Sequence, residues 1–140
     1  MSQINVDKIS GKSTYGSISV VAEGNTVTTN LQSGLSKAWW QYDQVNDETD
    51  GSFNVSSISD DGTGLYTVTM SNIQTNVTDR SVQLTSNHQT GDSNSRMSAV
   101  SHDKSGTYSA SAITIRVFYN DNWNLDDNNH NFGNVYGDLA

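Results

Sequence analysis

The chain has 140 residues, with 7 Lys and Arg against 15 Asp and Glu, for a formal net charge of -8. It contains no Cys and no Pro, which excludes disulfides, Cys-based zinc sites and thiol catalysis. The seven basic residues are scattered and no two are adjacent, which argues against a nucleic-acid binder, because phosphate neutralisation needs clustered Lys and Arg.

Small uncharged polar residues dominate instead: Ser, Thr and Asn together make 51 of the 140 residues. The opening MSQINVDKIS has no apolar core of signal-peptide length, and no later stretch approaches the ~20 apolar residues of a membrane span. The expectation is a chain made in a cytoplasm and not inserted into a membrane.

Residues 1–30 read as an extended arm in which Ile4, Val6 and Ile9 are apolar beads among polar neighbours. Ile18, Val20, Val21 and Val27 flank Ala22-Glu23-Gly24-Asn25, a hairpin signal. An arm of this kind buries little of its own surface, so it must fray or lie on something else. In LQSGLSKAWWQY, Leu31, Leu35, Ala38, Trp39 and Tyr42 recur at i, i+4, i+7, i+8 and i+11, the stripe of a short helix over about 31–42. Asn30 is positioned to cap it. On that helix the neighbouring Trp40 points about 100° away from Trp39 and needs a second surface. The acidic segment Gln44 to Gly51 reads as a linker. The domains expected are an anchoring arm with its helix over 1–45 and a β-domain over 50–140.

Beyond the linker the signals are those of strands. Phe53 and Val55 alternate and Ile58 falls out of phase by one, which suggests a bulge. Asp60-Asp61-Gly62-Thr63-Gly64 is a strong turn, followed by alternating Tyr66, Val68 and Met70. Val82 and Leu84 alternate next, then Met97 and Ala99. The run AITIRVFY places Ile113, Ile115, Val117 and Tyr119 on one face and reads as a central strand. Residues 120–131 form a polar loop, and Phe132 to Tyr136 return as a last strand. Short strands separated by turns predict an all-β fold, an antiparallel sandwich or jelly roll. Its apolar core is thin for the length, and association into a homo-oligomer is one way to stabilise it.

Several blocks carry a resemblance. The opening NVDKISGKS, the NLQSGLSKAWWQYD segment, Ser52-Phe53-Asn54-Val55, the DDGTGLYTV turn and strand, and the final Gly137-Asp138-Leu139-Ala140 resemble, in that order, virion structural proteins of marine tailed phages of the tail-fibre or appendage type. The matching blocks cover roughly half the chain. The resemblance implies a surface or appendage protein of the virion, homotrimeric, whose partners are other tail or capsid proteins. Residues 72–131 carry no matching block, and the Asn/Asp-rich loop 120–131 interrupts the family's usual final strand.

The candidate chemistry is that of binding. His88, His102 and His130 have no companions at metal or triad spacing, and HExxH and GxSxG motifs are absent. The adjacent pairs Asp60-Asp61 and Asp126-Asp127 do not place two carboxyls across a cleft. The expectation is therefore a protein that is not an enzyme and carries no cofactor. The loop 120–131 offers hard oxygen ligands without the DxDxDG spacing of a calcium loop, and turn formation explains its composition equally well. Ile4, Val6, Ile9, Leu31, Leu35, Trp39, Trp40 and Tyr42 form the expected assembly and anchoring surface. Tyr119, Trp123, His130 and Tyr136, in or near the polar loop, are the expected contacts to a host surface glycan. The leading expectation is a short appendage or tail-fibre-like protein of the virion surface. A capsid head decoration or knob protein is the alternative within that class, and a carbohydrate-binding module is the alternative outside it.

Overall fold

The computed structural model describes residues 5–9, 18–21, 28–30, 34–71, 80–86, 96–101, 109–119 and 123–137. The chain divides into two units, Met1–Leu35 and Ser36–Ala140. In the first, β1 (Ser19–Val21) pairs antiparallel with β2 (Thr28–Asn30), Val20 opposite Thr29. This is the pairing expected of the N-terminal hairpin, whose turn lies outside the described residues.

The second unit is an antiparallel β-sandwich. Its strands are β3 (Ser36–Asp43), β4 (Glu48–Phe53), β5 (Val55–Gly62), β6 (Leu65–Met70), β7 (Arg80–Ser86), β8 (Arg96–Ser101), β9 (Ala112–Tyr119) and β10 (Asn131–Gly137). One sheet has the order β4-β3-β10-β7 and the other β5-β6-β9-β8. The strands expected from alternation behave as such. Tyr66, Val68 and Met70 on β6 and Ile113, Ile115 and Val117 on β9 are all buried, and they meet in register, Tyr66 opposite Ile115 and Val68 opposite Ile113. The expected irregularity near Ile58 is present as register shifts on either side of it, between Val55 and Ser57 and between Asp60 and Gly62.

Two expectations fail in the same place. The helix expected over about 31–42 does not run that far: Gly34 is helical, 36–43 are strand β3, and 31–33 lie outside the described residues. The helical stripe depended on Leu31 and Leu35, which precede the strand. Within it Ala38, Trp40 and Tyr42 alternate strictly and are buried, and adjacent aromatic residues favour a pleated surface over a helix. The acidic segment is not a linker either. Gln44 to Asp47 make the turn of a hairpin and Glu48–Phe53 form β4, an edge strand paired to β3. Its Glu48 and Asp50 are charged and exposed, as suits an edge that must not pair further. The sandwich therefore begins at Ser36, and the 1–45 and 50–140 division moves with it.

Asn54, with a left-handed φ of 57°, turns the chain from β4 into the second sheet. Its amide donates to the Lys37 carbonyl at 2.8 Å and its own carbonyl accepts from the Ser71 amide at 3.0 Å, pinning the corner. On the first sheet, β3 and β10 pair with Trp40 opposite Gly133. A Cβ on Gly133 would lie 1.9 Å from the Trp40 ring, so the indole fills the space a side chain would need. The Trp40 Nε1–H points to the Tyr66 hydroxyl of the other sheet at 3.4 Å, and the Tyr66 ring lies 5.1 Å from that of Tyr42. This aromatic group ties the two sheets together.

Two predictions follow from this core. Gly133→Ala should cost about 1–3 kcal/mol of unfolding free energy through overpacking against Trp40, measured by urea denaturation; an unchanged midpoint would contradict the contact. Burial pushes the Tyr66 hydroxyl up to about 12, with the Trp40 N–H pulling weakly the other way. The stability held by neutral, buried Tyr66 is complete below its ordinary value near 10. It should then fall as pH rises from 10 towards 12, because the unfolded tyrosine ionises first, by about 2–3 kcal/mol in all. Tyr66→Phe should remove that part of the alkaline loss.

Candidate functional site

The outer face of the first sheet follows from the same alternation that builds the core. If Trp40 and Gly133 point in, Trp39 on β3 and Phe132 and Asn134 on β10 must point out. Trp39 pairs with Phe53 on β4. All three rings are solvent-exposed: Trp39 at 42%, Phe53 at 54% and Phe132 at 38%. The six-membered ring of Trp39 lies over Gly51 of β4, about 3.3 Å from where a Cβ would stand, so the bare glycine lets the indole rest against the sheet.

Between Trp39 and Phe132 lies a shallow cavity of about 250 Å³, bordered by Gln83 and Thr85 of β7 and Asn134 of β10. The amide of Asn134 is engaged: it donates to the Tyr136 hydroxyl at 3.1 Å and accepts from the Ser36 hydroxyl. Gln83 and Thr85 are exposed, and their side chains make no hydrogen bond to another described residue. No charged side chain lines the cavity, on a chain whose net charge is -8. The arrangement can stack two aromatic rings on an apolar surface of a ligand and hydrogen-bond its polar groups, without selecting a charge.

The expected site residues scatter over the molecule. Ile4 and Leu31 lie outside the described residues, and the side chain of Tyr119 on β9 is not described. Val6, Ile9 and Leu35 of the first unit are exposed. Trp40 and Tyr42 are 1% exposed, so they are core residues and not an anchoring surface; strand alternation buries both. Trp39 is the member of that set which faces solvent from the sandwich. Of the expected glycan contacts, Tyr136 sits on the outer face with Trp39. Trp123 sits elsewhere: it has a left-handed φ of 60° and packs tilted on Phe118 of β9 at 5.1 Å. His130 is half-buried. Phe132 belongs to the aromatic group near the polar loop, whereas Gln83 and Thr85 were not among the expected site residues. Their signal was the alternation of Val82 and Leu84 and of Gly133 and Val135, which leaves 83, 85 and 132 on the opposite face.

The carboxylates are occupied with turns. The Gly62 amide donates to Asp60 at 2.9 Å, the Gly64 amide to Asp127 at 2.6 Å, and the Tyr42 hydroxyl to Asp47 at 2.7 Å. Burial, then the Asp47 bond, then the charges of Asp47, Asp60 and Asp127 push the Tyr42 hydroxyl well above its ordinary value, so it stays a hydrogen-bond donor. Among the described residues no three His, Asp or Glu side chains gather closely enough to hold a metal ion by themselves, and no helix is long and apolar enough to cross a membrane. No protein-family profile, characterised protein or solved structure matches this chain.

The two adjacent tryptophans should separate cleanly. Trp40→Ala is expected to cost about 3–5 kcal/mol, whereas Trp39→Ala should change unfolding free energy by less than about 1 kcal/mol, both by urea denaturation. Equal costs would contradict the facing assigned to them.

Proposed function

We propose that this chain is a non-enzymatic structural protein of a phage virion surface, a short appendage or fibre-like protein, and that the outer face of its β4-β3-β10-β7 sheet contacts host glycan. The virion part rests on the sequence blocks that resemble tail-fibre and appendage proteins. The glycan part rests on one observation: an uncharged cavity between exposed Trp39 and Phe132, with Gln83 and Thr85 beside it, whose side chains bond no other described residue. A sugar ring presents an apolar C–H face and a rim of hydroxyls, which those groups match. Many copies on a particle convert weak single contacts into firm attachment. The acidic charge limits nonspecific association with DNA and with other acidic particles.

A head decoration role is the second reading. It is favoured by the separate first unit, whose Val6, Ile9 and Leu35 are 57%, 63% and 53% exposed. Apolar beads on an extended segment can lie in grooves of neighbouring capsid subunits or add a strand to them. Association as a trimer belongs to both readings.

The test uses purified full-length protein on a glycan array, with particles assembled in parallel. Trp39→Ala should weaken glycan binding at least about tenfold, as expected for loss of an aromatic anchor, and leave incorporation into particles intact. Removal of residues 1–35 should abolish incorporation. Glycan binding that survives Trp39→Ala unchanged would contradict the face assigned here. Loss of particles with Trp39→Ala would make the face an assembly contact.

A further inference from the structure

At one end of the sandwich three segments are laced together: the β3–β4 turn, the β5–β6 turn and the stretch 126–131. The Gln44 amide donates to the Asn128 carbonyl at 3.0 Å, the Gln44 side-chain nitrogen reaches the Gly62 carbonyl at 3.4 Å, and Gly64 donates to the Asp127 carboxylate at 2.6 Å. Asp47, bonded to Tyr42, and Asp60, bonded to Gly62, bring two more carboxylates to the same end.

The unusual feature is what is left over there. Gln44 is 2% exposed and Asn128 is fully buried, yet Gln44 Oε1 and Asn128 Oδ1 have no hydrogen-bond partner, and neither do buried Asn129 Oδ1 and His130 Nδ1. These are the only buried side-chain polar atoms without partners among the described residues. The three oxygens accept and never donate. The Gln44 and Asn128 amides are not simply turned the wrong way. Each nitrogen is already committed to a carbonyl, Gly62 for Gln44 and His130 for Asn128, and reversing either amide would set oxygen against oxygen. An unpartnered buried acceptor is costly, and acceptors at an end of the sandwich that also carries three carboxylates suit a positive charge.

We propose that this end of the sandwich binds a hard divalent cation of the calcium class, held by the Gln44 and Asn128 side-chain oxygens with carboxylate from the neighbouring Asp side chains. The donor set is all oxygen and includes neutral amides, which suits calcium; imidazole and thiolate metals want other ligands. Among the described residues the carboxylates do not by themselves form a group that could hold an ion, so the amides would have to complete the set. The ion would join the three segments and so brace the end of the sheet that carries β3 and β10. It is independent of glycan binding.

The experiment treats full-length protein with chelator, then adds calcium alone or terbium alone. At about a hundredfold excess over Kd, calcium should raise Tm by roughly 10 °C. Terbium should give luminescence sensitised through the nearby Tyr42 and Tyr66, displaced by calcium. Asn128→Asp should lower Tm in chelator and enlarge the calcium-dependent rise, because a second charge without its ion is worse than an amide. Gln44→Leu, which removes the ligand oxygen and keeps bulk, should abolish the rise and the luminescence. Identical melting in calcium and chelator with no terbium signal would overturn the proposal. So would a calcium response that neither substitution alters in a folded protein.

Discussion

The indole of Trp40 occupies the space that a side chain on Gly133 would take. That contact joins the first strand of the sandwich to its last, and through the Tyr66 hydroxyl it reaches the opposite sheet. It is long in sequence and short in space, and it closes the sandwich around a core that counts ten buried apolar side chains among the described residues.

The facing of the outer surface is a consequence of this packing. With Trp40 fixed inward, the pleat sends Trp39 outward, and with Gly133 inward it sends Phe132 outward. Gly51 on the edge strand lets the Trp39 ring settle on the sheet. A sandwich with a small core thus carries three exposed rings on one face, flanked by amide and hydroxyl groups of β7 and β10. A one-residue slip of β3 would exchange core and surface, so the contact that stabilises the fold also specifies the recognition face.

The β-domain was legible because its strands alternate cleanly. Tyr66, Val68, Met70 and Ile113, Ile115, Val117 announce their buried faces, and Asp60 to Gly64 announces its turn. Strand β3 was not, because Leu31 and Leu35 happen to extend the apolar spacing of Ala38, Trp39 and Tyr42 into a helical stripe, while the strand's own period is carried by Ala38, Trp40 and Tyr42. Strand β4 was hidden by its polarity: an edge strand with no buried side needs no apolar alternation. The outer face was partly legible, since Trp39 and Tyr136 were both singled out, but in separate sets. Only the β3–β10 register, a pairing across about ninety residues of sequence, brings them onto one surface. The laced end at Gln44 and Asn128 was hidden for the same reason, because local spacing carries no record of which loops meet.

The most direct test of the central claim is amide and indole hydrogen exchange by NMR on the full-length protein. Trp40 Nε1–H, buried and directed at Tyr66, should exchange only through global unfolding, while Trp39 Nε1–H exchanges within minutes. A nuclear Overhauser contact between the Trp40 ring and the Gly133 α-protons should accompany it. Equal exchange of the two indoles, or protection of Trp39 with Trp40 exposed, would contradict the strand, its register and the face built on them.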